Sequence, residues 1–233
     1  MNSIKELFEA NTKALASHEL SVASKSDPNH SISFTYKTLH NDVSALGTFL
    51  VYCGLKNKNI AILGEDIYER IVSYLAIICG TGTAVPLNKK WELSDLKYYL
   101  NATNCDAIIF SEKFESVVWE LQNDGSTLLQ TYISMDFNKK TDYFISMDEA
   151  MDQGWECLNS GNRDFLDSIV YENELAIIKY IMGIDENIEI MKFVGLTNKE
   201  IISHIDSSCE NSQNELDFLH MINFLSDDNS ILT

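Results

Sequence analysis

Metal or thiol chemistry in this chain would have to come from Cys53, Cys79, Cys105, Cys157 and Cys209, or from His18, His30, His40, His204 and His220. No two cysteines form a C-x-x-C pair and no histidines stand at ligand spacing, so neither a zinc site nor a redox dithiol is expected. Cys53, Cys79 and Cys105 sit among apolar neighbours and read as reduced, small core residues. Gly80-Thr-Gly82 offers the close backbone approach of a dinucleotide turn. It lacks the third glycine, however, and precedes a strand rather than a helix. No serine stands in a G-x-S-x-G elbow. The carboxylate pairs Glu65/Asp66 and Asp227/Asp228 read as helix caps and solvated charge, and Trp91, Trp119 and Trp155 as packing residues.

The elements that must position any site alternate in type. Ser3 caps a helix running to about Ser17, with Ile4, Leu7, Phe8, Ala14 and Leu15 on its apolar side. Residues 24–31 form a turn region and residues 32–34 a short strand. Thr35 caps a helix with Leu39, Val43, Leu46 and Leu50 on one face, ended by Gly54. Residues 59–63 are a buried strand. Asp66 can cap the next helix, which Gly80 and Gly82 close, and residues 83–87 form a strand ending near Pro86. A helix carrying Leu93, Leu96 and Leu100, a strand at 106–110, a helix at 113–122 and a strand at 131–134 complete the run. Apolar strands separated by helices mean βαβ units and a mostly parallel sheet with helices on both faces.

Beyond residue 135 the pattern loosens. Residues 136–142 are a polar connector, and Ser146 caps a helix through residues 154–158. Residues 174–182 and 188–194 read as two strands around a turn, and Thr197 caps a helix from Asn198 to about Cys209. An apolar segment follows at Leu219–Leu225. Three regions result: a lead-in over 1–31, an α/β core over 32–135, and an acidic region over 136–233 that holds the hairpin at 180–197.

Across its 233 residues the chain has 17 Lys+Arg against 35 Asp+Glu, a formal charge of −18. The imbalance is local. Residues 1–140 hold 16 acids and 13 bases, and residues 141–233 hold 19 acids and 4 bases. Such a surface excludes nucleic-acid and anionic-membrane partners. No apolar run is long enough to span a bilayer and the opening lacks a signal-peptide pattern, so a cytoplasmic location is expected.

Five segments in order carry a family resemblance. Phe34-Thr-Tyr-Lys-Thr-Leu39 resembles T-Y-x-E-L, and Asn59-Ile-Ala-Ile-Leu-Gly-Glu65 resembles V-A-I-L-x-x-N. Tyr74-Leu-Ala-Ile-Ile-Cys-Gly-Thr-Gly-Thr-Ala-Val-Pro-Leu87 resembles Y-L-A-x-L-x-x-G-A-x-x-V-P-L. Glu92-Leu-x-x-Leu-x-Tyr-x-Leu100 and Ala107-Ile-Ile-Phe110 continue in register. These are packing motifs of the AMP-forming adenylating enzymes: acyl-CoA synthetases, luciferases and the adenylation domains of peptide synthetases. The resemblance covers residues 35–197 and implies the first N-terminal subdomain of such a ligase. The family's adenine-stacking, ribose-binding, hinge and C-terminal lysine motifs have no counterpart in this chain.

Glu174-Leu-Ala-Ile-Ile-Lys-Tyr180 looks like the strand entering the family's phosphate loop, Y-T-S-G-T-T-G-x-P-K-G-V-x-L-T-H-x-N. In that alignment Gly183, Lys192 and Thr197 are the residues the resemblance assigns to nucleotide binding. The hydroxyls, later glycines and proline of the loop are replaced. Ile181, Met182 and Ile184 stand where hydroxyls belong, and Asp185, Glu186 and Glu189 add negative charge. A phosphate cradle needs close backbone approach, neutral donors and positive charge. An acid ~5 Å from a phosphate costs ~1 kcal/mol at water's dielectric and several times more at an effective dielectric near 20.

Two readings follow. In the first, the chain is a truncated, catalytically incompetent AMP-binding-type domain that serves as an interaction or regulatory module, with no cofactor. In the second, it is one part of a split acyl-adenylate-forming ligase that takes ATP and Mg once a partner chain completes it. An incomplete sheet also implies an uncovered edge, hence a homo-oligomer or a completing protein partner.

Overall fold

The computed structural model describes residues 3–23, 31–65, 67–135, 143–185 and 188–208. Two sheets are present. Strands β1 (Glu19–Ala23) and β2 (Ser31–Thr35) form an antiparallel ribbon. A seven-stranded sheet has the order β7-β6-β5-β3-β4-β8-β9. Its strands are β3 (Lys58–Leu63), β4 (Gly82–Pro86), β5 (Cys105–Phe110), β6 (Thr131–Ser134), β7 (Ile145–Ser146), β8 (Leu175–Asp185) and β9 (Ile188–Thr197). Every neighbouring pair is parallel except β8 with β9.

The central strands β3 and β5 alternate between two cores, because successive side chains on a strand point to opposite faces. Ile60 and Ile62 of β3, Ala107 and Ile109 of β5, and Ile177 of β8 face one layer. That layer is built from α1 (Ile4–Leu15), α2 (Tyr36–Tyr52), α3 (Ile67–Ala76), α6 (Met147–Asn159) and α7 (Asn198–Ser208). Ala61 and Leu63 of β3, with Ile108 and Phe110 of β5, face the second layer, made by α4 (Leu93–Ala102) and α5 (Glu115–Asp124). The expected α/β architecture, a mostly parallel sheet with helices on both faces, is the one observed.

Helix starts follow the side chains that sequence marked as caps. Ser3 accepts the Glu6 amide, Thr35 the Thr38 amide and Ser146 the Glu149 amide. Gly54 (φ +81°) takes the left-handed conformation just past α2. Other details differ from expectation. The ribbon strand β1 was hidden because ELSVA is short and half polar. Helix 113–122 divides into a 3₁₀ turn (Glu112–Phe114) and α5. α3 ends in a π-helical turn over Ile77–Thr81. Cys79 and Cys105 are buried, but Cys53 is exposed, because it caps the C-terminus of α2 where the chain turns outward. β7 joins the sheet edge through two residues only. The cap expected at Asp66, the connector 136–142, His30, His220, Asp227/Asp228 and the segment from Cys209 onward lie outside the described residues. No described helix is long and apolar enough to cross a membrane.

Two glycines at the start of β4 carry tight contacts. A Cβ on Gly82 would stand 2.1 Å from the Lys58 carbonyl oxygen, so β3 and β4 approach each other only because position 82 has none. Gly80 (φ +150°) lies in a backbone region that other residues avoid, and its Cβ position would stand 2.1 Å from Ser168 Oγ. Ser168 is held in turn by Lys5. The Lys5 ammonium donates to the carbonyls of Phe165, Leu166 and Ser168 and to Ser168 Oγ at 2.7–3.0 Å. Burial pulls the Lys5 ammonium below the ordinary lysine range, against the opposing pull of Glu9. The Gly82→Ala substitution is expected to lower stability by about 1–3 kcal/mol or more, since rigid backbone must move. Urea denaturation checks it, and a variant as stable as the parent would contradict the contact.

Candidate functional site

A doubly wound sheet opens its crevice at the C-terminal ends of strands whose following helices pass to opposite faces. Here that condition is met at β3, flanked by β5 and β4. Between β3 and β5 the crevice is filled. Ser111 Oγ accepts the Glu65 amide at 2.9 Å, and a Cβ on Gly64 would meet Met135 Sδ at 2.7 Å and Ser111 Oγ at 2.8 Å. Above it Lys113 pairs with Glu65 at 3.0 Å, and buried Arg70 donates to the Gly64 carbonyl at 3.3 Å.

At the ends of β4 and β8 the gap is closed by aromatic packing. Asn88 Nδ2 donates to Tyr180 Oη at 2.6 Å. The Tyr180 ring lies 4.4 Å from Trp91 and 6.0 Å from Tyr99, and Trp91 lies 4.9 Å from Tyr99. Tyr99 Oη donates to the Ile178 carbonyl at 3.1 Å, tying α4 to β8. Burial pushes the Tyr99 hydroxyl well above the ordinary tyrosine range. The space left between Pro86–Asn88 and Lys179–Tyr180 is about 10 Å³, room for one water at most. Trp91 is thus a packing residue, as its sequence setting suggested. Asn88 and Tyr99 were not singled out in the sequence. The available signal was a polar residue directly after a strand-ending Pro-Leu, and a Tyr in register with Leu96 on α4.

The three residues assigned to the phosphate loop lie on the β8–β9 hairpin. Gly183 pairs with Ile190, Lys192 with Ile181 and Thr197 with Leu175. Gly183 and Lys192 are therefore near each other and on the same face. Thr197 is at the far end of the hairpin, roughly 17 Å along the strand from Lys192 and roughly 23 Å from the level of Gly183 at 3.3 Å per residue. Its parity turns it to the opposite face. Lys192 is exposed. Thr197 serves α7: its Oγ1 accepts the Glu200 amide at 3.3 Å, while Glu200 Oε2 accepts both the Thr197 amide and hydroxyl at 2.8 Å. This is a reciprocal capping box, and the hydrogen bonds from the Thr197 amide and hydroxyl hold the Glu200 carboxyl below the usual carboxylate range.

Open space lies at the other end of the sheet. A cleft of about 350 Å³ sits where β4 begins, bounded by Lys56, Gly80, Thr83, Ser168, Glu174 and Asn198.

This sheet, with its βαβ crossovers and helix layers, defines a mostly parallel α/β subdomain. Residues 11–180 match the family model described as AMP-binding enzyme, which is more than half of the chain, and the chain belongs to that family. A CoA ligase of Gibberella moniliformis (strain M3125 / FGSC 7600) is 30% identical over 119 residues, which are 48% of this chain and 20% of that protein. The chain thus spans about a fifth of that relative's length. Among solved structures, the anthranilate CoA ligase AuaEII in complex with anthranoyl-AMP superposes with a TM-score of 0.72 at 14% identity, over 88% of this chain and 36% of that one. The long-chain-fatty-acid-CoA ligase FadD1 from Archaeoglobus fulgidus gives 0.72 at 14%, over 96% and 45%. The N-terminal domain of FACL13 from Mycobacterium tuberculosis gives 0.67 at 14%, over 98% and 56%. At these identities the structures establish the fold. The family match ends at Tyr180, where the hairpin departs from the phosphate-loop pattern.

Tyr180→Phe removes the Asn88 hydrogen bond while keeping the ring. It is expected to cost about 1 kcal/mol, and Trp91→Ala to cost more because it also strips the ring packing around Tyr180 and Tyr99. Chemical denaturation of the two variants checks the order.

Proposed function

We propose that this chain is an AMP-binding-type domain that does not hold a nucleotide triphosphate by itself and acts as an interaction or regulatory module. The observation that carries this reading is the antiparallel pairing of β8 with β9, regular from Ile177 opposite Leu196 to Asp185 opposite Ile188 after a register shift between Leu175 and Ile177. Successive amides in a ladder point alternately to the two sides of the strand. A phosphate cradle needs the reverse, consecutive amides converging on one point. The hairpin also carries Asp185, Glu186 and Glu189 against Lys192, so the local field repels phosphate. The filled crevice at Met135 and Ser111 and the closed gap at Tyr180 support the same reading. No cofactor is then required. A cytoplasmic location accompanies it, supported by five widely spaced cysteines that cannot all pair.

A second reading has one observation in its favour. Lys192 remains exposed on the face of Gly183, where a second polypeptide could add the donors and glycines that this hairpin lacks. The chain would then be one part of a split acyl-adenylate-forming ligase, using ATP and Mg.

Titration calorimetry of the 233-residue chain with Mg-ATP tests the proposal. No saturable heat is expected up to millimolar nucleotide. Micromolar binding by the chain alone overturns it, and ATP–pyrophosphate exchange on addition of a second polypeptide moves the assignment to the split ligase.

A further inference from the structure

The cleft where β4 begins lies at the opposite end of the sheet from Asn88 and Tyr180. Its volume of about 350 Å³ suits a small ligand. Its walls are the end of the π-helical turn, the 168–170 segment and the residues that lead into β3 and β8.

Two opposite charges flank it. Lys56 stands two residues before β3, and Glu174 directly before β8. β4 runs between those strands, so the two flanks are two strand spacings apart, roughly 10 Å. Among the described residues Lys56 is the one cation and Glu174 the one carboxylate that line the cleft. Neither side chain has an ion-pair partner among the described residues. The neighbouring cation, Lys5, has its donors taken up by the 165–168 turn.

The hydroxyls between the two charges have already spent their protons. Thr81 donates to the Ala76 carbonyl at 2.9 Å, Thr83 to the Leu175 carbonyl at 3.3 Å and Ser168 to the Phe165 carbonyl at 2.6 Å. What they present to the cleft is oxygen lone pairs, which call for a ligand that brings donors. Apolar surface completes the lining, since Ile169 and Leu175 bound the cleft while 71% and 46% exposed.

We propose that this cleft binds a free α-amino acid with an apolar side chain. The ammonium group pairs with Glu174 and donates to Thr83 Oγ1, the carboxylate pairs with Lys56, and the side chain lies against Ile169 and Leu175. A zwitterion answers all of these features together, because both charges find partners and the ammonium supplies the donors that the hydroxyls lack. Inorganic phosphate or a nucleotide answers Lys56 alone and is opposed by Glu174. The proposal is independent of whether the hairpin binds nucleotide.

Titration calorimetry of the full chain with L-leucine, N-acetyl-L-leucine and L-leucinamide tests it. L-Leucine is expected to give saturable heat at millimolar concentration. Removing its ammonium in the first analogue, or its carboxylate in the second, should each weaken binding by about tenfold. Glu174→Gln and Lys56→Gln lie at exposed positions and, with their fold checked by circular dichroism, should weaken L-leucine to a similar extent. Amide shifts in NMR spectra on addition of L-leucine should centre on residues 80–83. No saturable heat with L-leucine overturns the proposal. Equal affinity for the three compounds, variants that bind like the parent, or shifts confined to the β8–β9 hairpin overturn it as well.

Discussion

The contact between Gly82 and the Lys58 carbonyl is the constraint on which the rest of this structure depends. It lets β3 and β4 lie side by side at the centre of the sheet, with Lys58 opposite Gly82 and Ile62 opposite Pro86. Because β3 also carries β5 on its other side, an error in that pairing would shift both cores at once. A one-residue slip turns every inward side chain outward. The π-helical turn before Gly82 belongs to the same arrangement. Gly80 of that turn lies under Ser168, and Lys5 holds the 165–168 turn by donating to the carbonyls of Phe165, Leu166 and Ser168 and to Ser168 Oγ. The α1 helix, the 165–168 turn and the first residue of β4 are thereby joined into one unit, although they lie far apart in sequence. The two glycines whose spacing suggested a dinucleotide turn are accounted for by this packing.

That arrangement also explains where the molecule has room. The C-terminal ends of the parallel strands, where a doubly wound sheet usually opens toward a ligand, are occupied by Met135, Ser111 and the Asn88–Tyr180–Trp91–Tyr99 cluster. A larger opening is at the start of β4, lined by the end of the π-helical turn and by Ser168, Ile169 and Val170.

Much of the fold was legible in the sequence because its signals are local. Ser3, Thr35 and Ser146 announce helix starts through their own hydroxyls, and the apolar run 59–63 announces a strand buried on both faces. The failures have equally physical causes. β1 is too short and polar for its alternation to stand out, and it exists only because β2 pairs with it. The π-helical turn depends on Gly80 meeting Ser168, a contact across many residues that no periodicity encodes. Cys53 has apolar neighbours in sequence, but its cap position at the end of α2 turns it to solvent. For the site, the phosphate-loop alignment located the hairpin correctly as two strands around a turn. Thr197 was read both as a helix cap and as a loop residue, and the structure engages it with Glu200 as the cap.

The hairpin therefore shows a competition for backbone amides. A loop that wraps a phosphate must forgo ladder pairing, and glycine lowers the cost by admitting conformations in which neighbouring amides converge. Ile181, Met182 and Ile184 stand where the phosphate-loop pattern has hydroxyls, and the isoleucines raise strand propensity there at the expense of convergent conformations. The equilibrium then moves to the extended ladder, which lengthens β8 and β9 beyond the strand limits expected from the sequence. A longer β9 is also a longer exposed edge.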